Sequence, residues 1–173
     1  MSKPVDMPQD LFDLYAEFGI ASEKAQLLET EAGNAALSYV TLFTDTNKIT
    51  AEQREIFKAL LVDVNRKTLG AVLTQIKSIG TFDQTLLNAI DEGLKQRNYL
   101  THKFFRAHNF AIHNETGRAT MTQELQSIQD TLQKAWNILS AVTNSLNHFA
   151  GIPQQSEYEI RNLMAAGRNK SIW

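Results

Sequence analysis

Apolar residues recur every three or four positions along most of this chain, which is the spacing of one face of an α-helix. The first apolar face runs from Leu11 to Phe18 and follows Pro8, a residue that suits a first helical turn because it lacks an N–H group there. A second run follows Gly19, and its small residues predict close packing against another helix. The stripe of this second run is Ala21, Ala25, Leu28, Ala32, Ala35, Tyr39 and Phe43.

Two more helices are predicted in the middle of the chain. Thr50 followed by Gln53 is a capping-box pattern, so a helix begins there, with a break near Gly70. Asp83 is a candidate N-cap for a central helix that reads as one element up to His113. The stripe of the central helix is Leu87, Ile90, Leu94, Arg97, Thr101, Phe104 and His108.

The last long helix is predicted from a second capping-box candidate, Thr120 with Gln123, to the Gly151 and Pro153 stop signals. Its stripe is Leu125, Ile128, Leu132, Ala135, Leu139, Val142 and Leu146. A short helix over residues 153–166 and a tail ending in Trp173 follow.

No segment alternates apolar and polar residues between turn signals, so no strand is expected. The sequence therefore predicts an all-α fold, with four long helices in an up-and-down bundle and extra short helices at the ends. We expect one helical domain over residues 1–173, with a flexible arm at 1–7, the bundle core at 20–150, and a terminal helix and tail at 153–173.

The composition narrows the function without naming it. Hydrophobic residues make up 43% of the 173 positions, which is enough for a core, and the net charge of −2 does not favour a non-specific DNA binder. The absence of cysteine excludes disulfides and thiolate metal sites. The N-terminus has no apolar run typical of a signal peptide, and no run of about 18 apolar residues predicts a membrane span. We expect a cytoplasmic protein.

The four histidines do not form a metal-binding pattern. None pairs with another at four-residue spacing, and neither a His-Glu-x-x-His nor a Glu-x-x-His arrangement is present. A glycine-rich phosphate loop and a nucleophile elbow are also missing from the sequence. We therefore expect neither a metal nor a cofactor.

Arg97 is the most unusual residue of the central helix, because it falls on the stripe that should face the core. Burying an arginine is costly unless it meets an internal carboxylate, a water-filled cleft or a bound phosphate. His102 follows five residues later and shares a face with Asn98 and Arg106, each one turn away. An imidazole, two guanidiniums and an amide thus lie within about three helical turns.

The residues Arg97, Asn98 and His102 resemble the signature of the HEPN superfamily, the higher eukaryote and prokaryote nucleotide-binding domains. That signature is an arginine, four to six residues and a histidine, often with a polar residue directly after the arginine. The resemblance implies a helical bundle that dimerises, so that two motif helices form one composite site. It also implies a metal-independent endoribonuclease of the kind found in toxin–antitoxin, CRISPR and phage-defence systems, or a relative that has lost catalysis.

The resemblance implies roles for particular residues. Arg97 and His102 would be catalytic with Asn98 in support, and Lys103 and Arg106 would guide the RNA backbone. In the branch whose antitoxin is a nucleotidyltransferase, the motif continues as His-x-Tyr and the tyrosine is modified. Phe104 stands at that position here, so this antitoxin is not expected, although another regulatory protein is compatible with the sequence.

Three hypotheses follow from this pattern. The first is the homodimeric ribonuclease, and the second is a non-catalytic HEPN-like module that binds nucleotide, RNA or a protein partner. The third is a helical scaffold that does not use the motif, in which Arg97 would pair with an internal carboxylate. A second match to the spacing, from Arg106 to His113, lacks the polar residue after the arginine.

Overall fold

The structure is a computed structural model that describes residues 7–43, 83–149 and 151. These residues form α1 (Gln9–Phe43), α2 (Gln84–His102), the short α3 (Phe104–Ala107), a 3-10 helix (Ala111–His113) and α4 (Glu115–Phe149), and they contain no strand. The predicted all-helical class is therefore confirmed for this part of the chain. The predicted helix from Thr50 and the terminal helix and tail at 153–173 lie outside it.

α1 is one unbroken helix of 35 residues, whereas the sequence predicted two runs that meet near Gly19. A glycine inside a helix costs about 1 kcal/mol relative to alanine, which packing on either side can outweigh. Leu14 and Ala21 flank Gly19, and both are fully buried. The core consequently extends to Leu14, upstream of residue 20.

Local signals define the start of α2 and the end of α4. The Asp83 carboxylate accepts the backbone N–H groups of Thr85 at 2.8 Å and Leu86 at 3.4 Å, so the predicted N-cap of α2 is confirmed. Gly151 has a φ of 68°, and its N–H donates to the carbonyl of His148 after the end of α4. This left-handed conformation favours glycine, as predicted.

The predicted start of α4 at Thr120 is wrong. The helix begins five residues earlier, at Glu115, because the side chain of Asn114 accepts the backbone N–H of Gly117 at 2.7 Å. Thr120 lies inside the helix, where its hydroxyl donates to the carbonyl of Thr116.

The two long helices, α1 and α4, run in the same direction. Near their starts, Nε of Arg118 lies 2.6 Å from Oδ2 of Asp10, and further along Nε2 of Gln129 lies 2.6 Å from Oε2 of Glu17. Arg118 also donates to the carbonyl of Ile112, which ties the 3-10 helix to the same end.

α2 runs antiparallel to both long helices. Its Gly93 faces Leu28 and Ala135, whereas Tyr99, further along α2, lies next to Glu124, which comes earlier in α4. In the predicted up-and-down bundle of four helices, the first and last helices would be antiparallel. The observed α1 and α4 are parallel, so they do not match that order. Because residues 44–82 are not described, the number of helices in the bundle stays a prediction.

The core lies where the small-residue stripe of α1 meets α2 and α4. The alanine-rich stripe predicted for α1 is buried from Ala21 to Ala35. The apolar stripe predicted for α4 is buried from Leu125 to Leu139. The side chains of Tyr39 and Phe43 lie outside the description. α2 and α4 approach each other closely at Gly93, where an added Cβ would come within 2.5 Å of the Cβ of Ala135.

The central helix ends at His102 instead of continuing to His113 as predicted. Lys103 leaves helical geometry, with φ −128° and ψ −26°, and Phe104 begins the separate α3. Phe104 is fully buried, and the ring of the next residue, Phe105, lies 4.7 Å from that of Phe18 on α1. The turn thus brings two consecutive aromatic rings into the aromatic cluster of the core.

The predicted stripe of α2 is correct only in part. Ile90 and Phe104 are buried as expected, but Thr101 is exposed and Leu100 is buried in its place. None of the described helices combines the length and apolar character that crossing a membrane requires.

Candidate functional site

Arg97 pairs with a carboxylate from another helix. Its Nη2 forms an ion pair with Oε1 of Glu29 on α1, and its Nη1 donates to Oδ1 of Asn98 at 2.9 Å. The side chains of Arg97 and Glu29 keep 22% and 34% of their exposure, so the pair lies at the edge of the core. Of the three environments that could accommodate this arginine, the structure shows a carboxylate.

His102 is the last residue of α2 and is exposed to solvent. Asn98, one turn earlier on the same face, is exposed as well. The structure therefore links Arg97 to Asn98 directly and places His102 beside Asn98 along the helix surface. Lys103 and Arg106 are also exposed, but Arg106 belongs to α3 because of the turn at Lys103.

An open depression of about 690 Å³ lies beside this motif, between α2 and α4. Asn98 and Lys103 form part of its wall, whereas Arg97, His102 and Arg106 do not. Among the described residues, the lining consists of Asp91, Leu94, Lys95, Gln96, Asn98, Tyr99, Lys103 and Glu124. The depression combines cationic, anionic, amide and aromatic groups.

Glu124, in this wall, connects two other titratable side chains. Its Oε2 lies 2.6 Å from Nε2 of His108, and Tyr99 lies next to it. Burial, followed by the interaction with the Glu124 carboxylate and its negative charge, raises the pKa of Tyr99 to about 12. The phenol is therefore protonated at neutral pH, and Glu124 has titratable neighbours on two separate elements.

Sequence reasoning missed Glu124 and gave no role to Tyr99. The sequence placed His108 on the apolar stripe, and its ring does pack against Phe104 with centroids 4.9 Å apart. The bond from His108 to Glu124 spans sixteen residues and two elements, so no helical or strand spacing could have indicated it. The weak signal was a histidine at a stripe position one turn after Phe104, where the face was expected to meet the core.

No group of three or more His, Asp or Glu side chains in residues 7–43 and 83–149 forms a metal-binding arrangement. The chain matches no protein-family model, no curated protein and no solved structure. The HEPN resemblance therefore depends on Arg97, Asn98 and His102 and on the helical architecture.

Proposed function

We propose that this chain is a HEPN-like, metal-independent endoribonuclease that acts as a cytoplasmic homodimer, as a toxin or a defence component. The observation that supports this function best is the placement of three polar groups along α2. Arg97 is hydrogen-bonded to Asn98, and His102 follows one turn after Asn98 on the same exposed face.

These groups suit RNA cleavage through the 2′-hydroxyl. The 2′-oxygen attacks the adjacent phosphorus, the bond from phosphorus to the 5′-oxygen breaks, and a proton passes to the leaving oxygen. The imidazole of His102 can transfer protons near neutral pH. The fork of Arg97 matches the phosphate oxygens of the pentacovalent intermediate, and Asn98 would hold that fork in position.

Two proton transfers are needed, and each chain contributes one motif histidine. A symmetric dimer would supply a second His102 from its partner, since a two-fold interface places the same residue on both sides. The exposed position of His102 at the end of α2 is compatible with such an arrangement. Lys103 and Arg106, both exposed, would contact the RNA backbone on either side.

A second candidate is a non-catalytic HEPN-like module that binds nucleotide, RNA or a protein partner. The ion pair between Arg97 and Glu29 is the contact that the third hypothesis, a helical scaffold that does not use the motif, predicted for this arginine. The same pair favours a binding module over a nuclease, because a guanidinium already neutralised by a carboxylate must exchange partners before it can hold a phosphate. A binding module needs no such exchange if its ligand uses the neighbouring depression.

A cleavage assay in excess EDTA tests the proposal. Purified protein is incubated with single-stranded RNA and transfer RNA, beside His102→Ala, Arg97→Ala and the matched control His113→Ala, which removes another exposed histidine. We expect the wild type and His113→Ala to leave 2′,3′-cyclic phosphate ends, and His102→Ala to lose about 100-fold or more in rate.

The outcomes separate the candidates. Absence of cleavage by folded, dimeric wild type would support the binding module. Equal cleavage by all four proteins would mean that the motif is not the site.

A further inference from the structure

We propose that the depression between α2 and α4 binds a guanine base of single-stranded RNA, with Glu124 as the group that recognises it and Lys95 and Lys103 as contacts to neighbouring phosphates. This inference rests on the proposed function only for its choice of RNA as the natural ligand. The pocket itself is argued from its size, its donors and acceptors, and its charges.

The size and walls suit a nucleotide. Pockets for small molecules have volumes of about 300–1,000 Å³, and the depression measures about 690 Å³. Leu94 and the ring of Tyr99 give it apolar and aromatic surface, while Gln96 and Asn98 supply amides. Bases exposed in single-stranded RNA are usually bound by aromatic surface together with hydrogen bonds to their edges.

Glu124 favours guanine among the four bases. The Watson–Crick edge of guanine presents two adjacent donors, N1–H and the N2 amino group, which match the two oxygens of one carboxylate. Adenine and cytosine place an acceptor beside their amino group, and uracil flanks its single donor with two carbonyls. With any of those bases a carboxylate would gain one hydrogen bond and hold its other oxygen against an acceptor, whereas with guanine it gains two.

The carboxylate of Glu124 is also held in one position. The ring of His108, in the turn after α3, bonds to it at 2.6 Å, and Tyr99 of α2 lies next to it. An ionised carboxylate offers about four acceptor positions, so the bond to His108 leaves room for the two donors of guanine. Its side chain keeps 33% of its exposure, which leaves it accessible from the depression.

The charges around the pocket favour a ligand with both donors and a phosphate. Lys95 and Lys103 are exposed, and Lys95 keeps 74% of its side-chain exposure although its Nζ lies 3.3 Å from Glu92. Such an exposed pair contributes little and can open when a phosphate arrives. The negative charges of Asp91 and Glu124 balance the positive charges of the two lysines. The site therefore has no net positive charge that would bind any polyanion whatever its sequence.

Asn98 connects this pocket to the proposed cleavage site. It lines the depression and accepts a hydrogen bond from Arg97. A base seated in the depression would bring its own phosphate towards the guanidinium. The proposed ribonuclease would then cut next to guanine.

Equilibrium binding of free nucleotides tests the inference without any cleavage. Affinities for 5′-GMP, 5′-IMP, 5′-AMP and 5′-UMP are measured by calorimetry on the full chain. Inosine differs from guanosine only in lacking the N2 amino group, so we expect GMP to bind about tenfold more tightly than IMP. Glu124→Gln should abolish this difference, since an amide offers one acceptor, while Glu115→Gln at an exposed position of α4 should preserve it.

A second variant keeps the test decisive if Glu124→Gln unfolds, which circular dichroism would reveal. Lys103→Gln should weaken GMP binding severalfold and leave guanosine binding unchanged. Equal affinity for GMP and IMP in the wild type, a preserved difference in folded Glu124→Gln, or no nucleotide binding at all would overturn the inference.

The two proposals fail separately. Selective GMP binding without RNA cleavage would support the guanine pocket and contradict the proposed ribonuclease activity. Cleavage with no preference for guanine beside the cut would do the reverse.

Discussion

The guanidinium of Arg97 on α2 is ion-paired to the carboxylate of Glu29 on α1, and the same guanidinium donates to Asn98 beside it. Through this pair, a residue of α1 contacts the arginine of the proposed active site on α2. Glu29 orients the guanidinium, and it also competes with any phosphate for the same nitrogens. Under the proposed function, one carboxylate would therefore couple RNA binding to the packing of α2 on α1.

We expect Glu29→Gln to tighten binding of a single-stranded RNA oligonucleotide, because it frees Arg97 for phosphate. The effect on stability should stay below about 1 kcal/mol, since both side chains remain partly exposed. Fluorescence anisotropy at two salt concentrations would measure the affinity. Glu23→Gln, at an exposed position of the same helix, is the matched control. Unchanged affinity in Glu29→Gln would show that Arg97 does not contact RNA.

Gly93→Ala should destabilise the protein although alanine is the better helix former. The new methyl group would lie within 2.5 Å of the Cβ of Ala135 and 3.2 Å of Leu28, and such overpacking costs about 1–3 kcal/mol. Gly19→Ala meets nothing within 4 Å and should stabilise α1 by about 0.5–1 kcal/mol. Urea denaturation would measure both. Ala135→Gly should partly rescue Gly93→Ala, and absence of rescue would argue against this contact.

Phe104→Ala should cost about 3–5 kcal/mol of unfolding free energy, because the ring is fully buried in the aromatic cluster. Phe110→Ala removes an identical side chain that is 81% exposed, so its effect should stay within about 0.5 kcal/mol. Chemical denaturation of the two variants gives the comparison. Similar losses at both positions would contradict the placement of Phe104.

Tyr99 should make stability fall in alkaline solution. Its pKa is about 12 in the folded chain against 10 ordinarily, so the unfolded chain loses this proton first as pH rises. The stabilisation is complete below pH 10 and is lost between about pH 10 and 12. The difference in unfolding free energy between wild type and Tyr99→Phe should therefore decrease across this range. A constant difference up to pH 12 would contradict the raised pKa of Tyr99.

Features with a local physical cause could be predicted from the sequence. Asp83 caps α2 because its carboxylate reaches N–H groups two and three residues away, and Gly151 follows the end of α4 because it adopts a positive φ readily. The stripe from Leu125 to Leu139 is buried because its spacing matches one helical face. These signals lie within a few residues of the structure that they specify.

Features set by tertiary packing could not be predicted. Nothing in Lys103-Phe104-Phe105 is a helix breaker, and the turn there follows from burying aromatic rings against α1. The pattern of Thr120 and Gln123 predicted a later start for α4, whereas the side chain of Asn114 caps the helix in the structure. In the candidate site, the Arg97 motif was visible as a spacing, but its partner Glu29 and the group around Glu124 depend on which helices meet.

The parallel pairing of α1 with α4 has a consequence for how the chain folds. Arg118 and Asp10 are 108 residues apart, and Gln129 and Glu17 are 112 apart. Closing a loop of that length costs about 4 kcal/mol of chain entropy. The contacts between α1 and α4 offset this cost only after most of the chain has been synthesised. The alanine face of α1 therefore cannot pack against α4 until α4 has been synthesised. A nascent chain that stops before Glu115 would lack α4, the helix on which α1 packs.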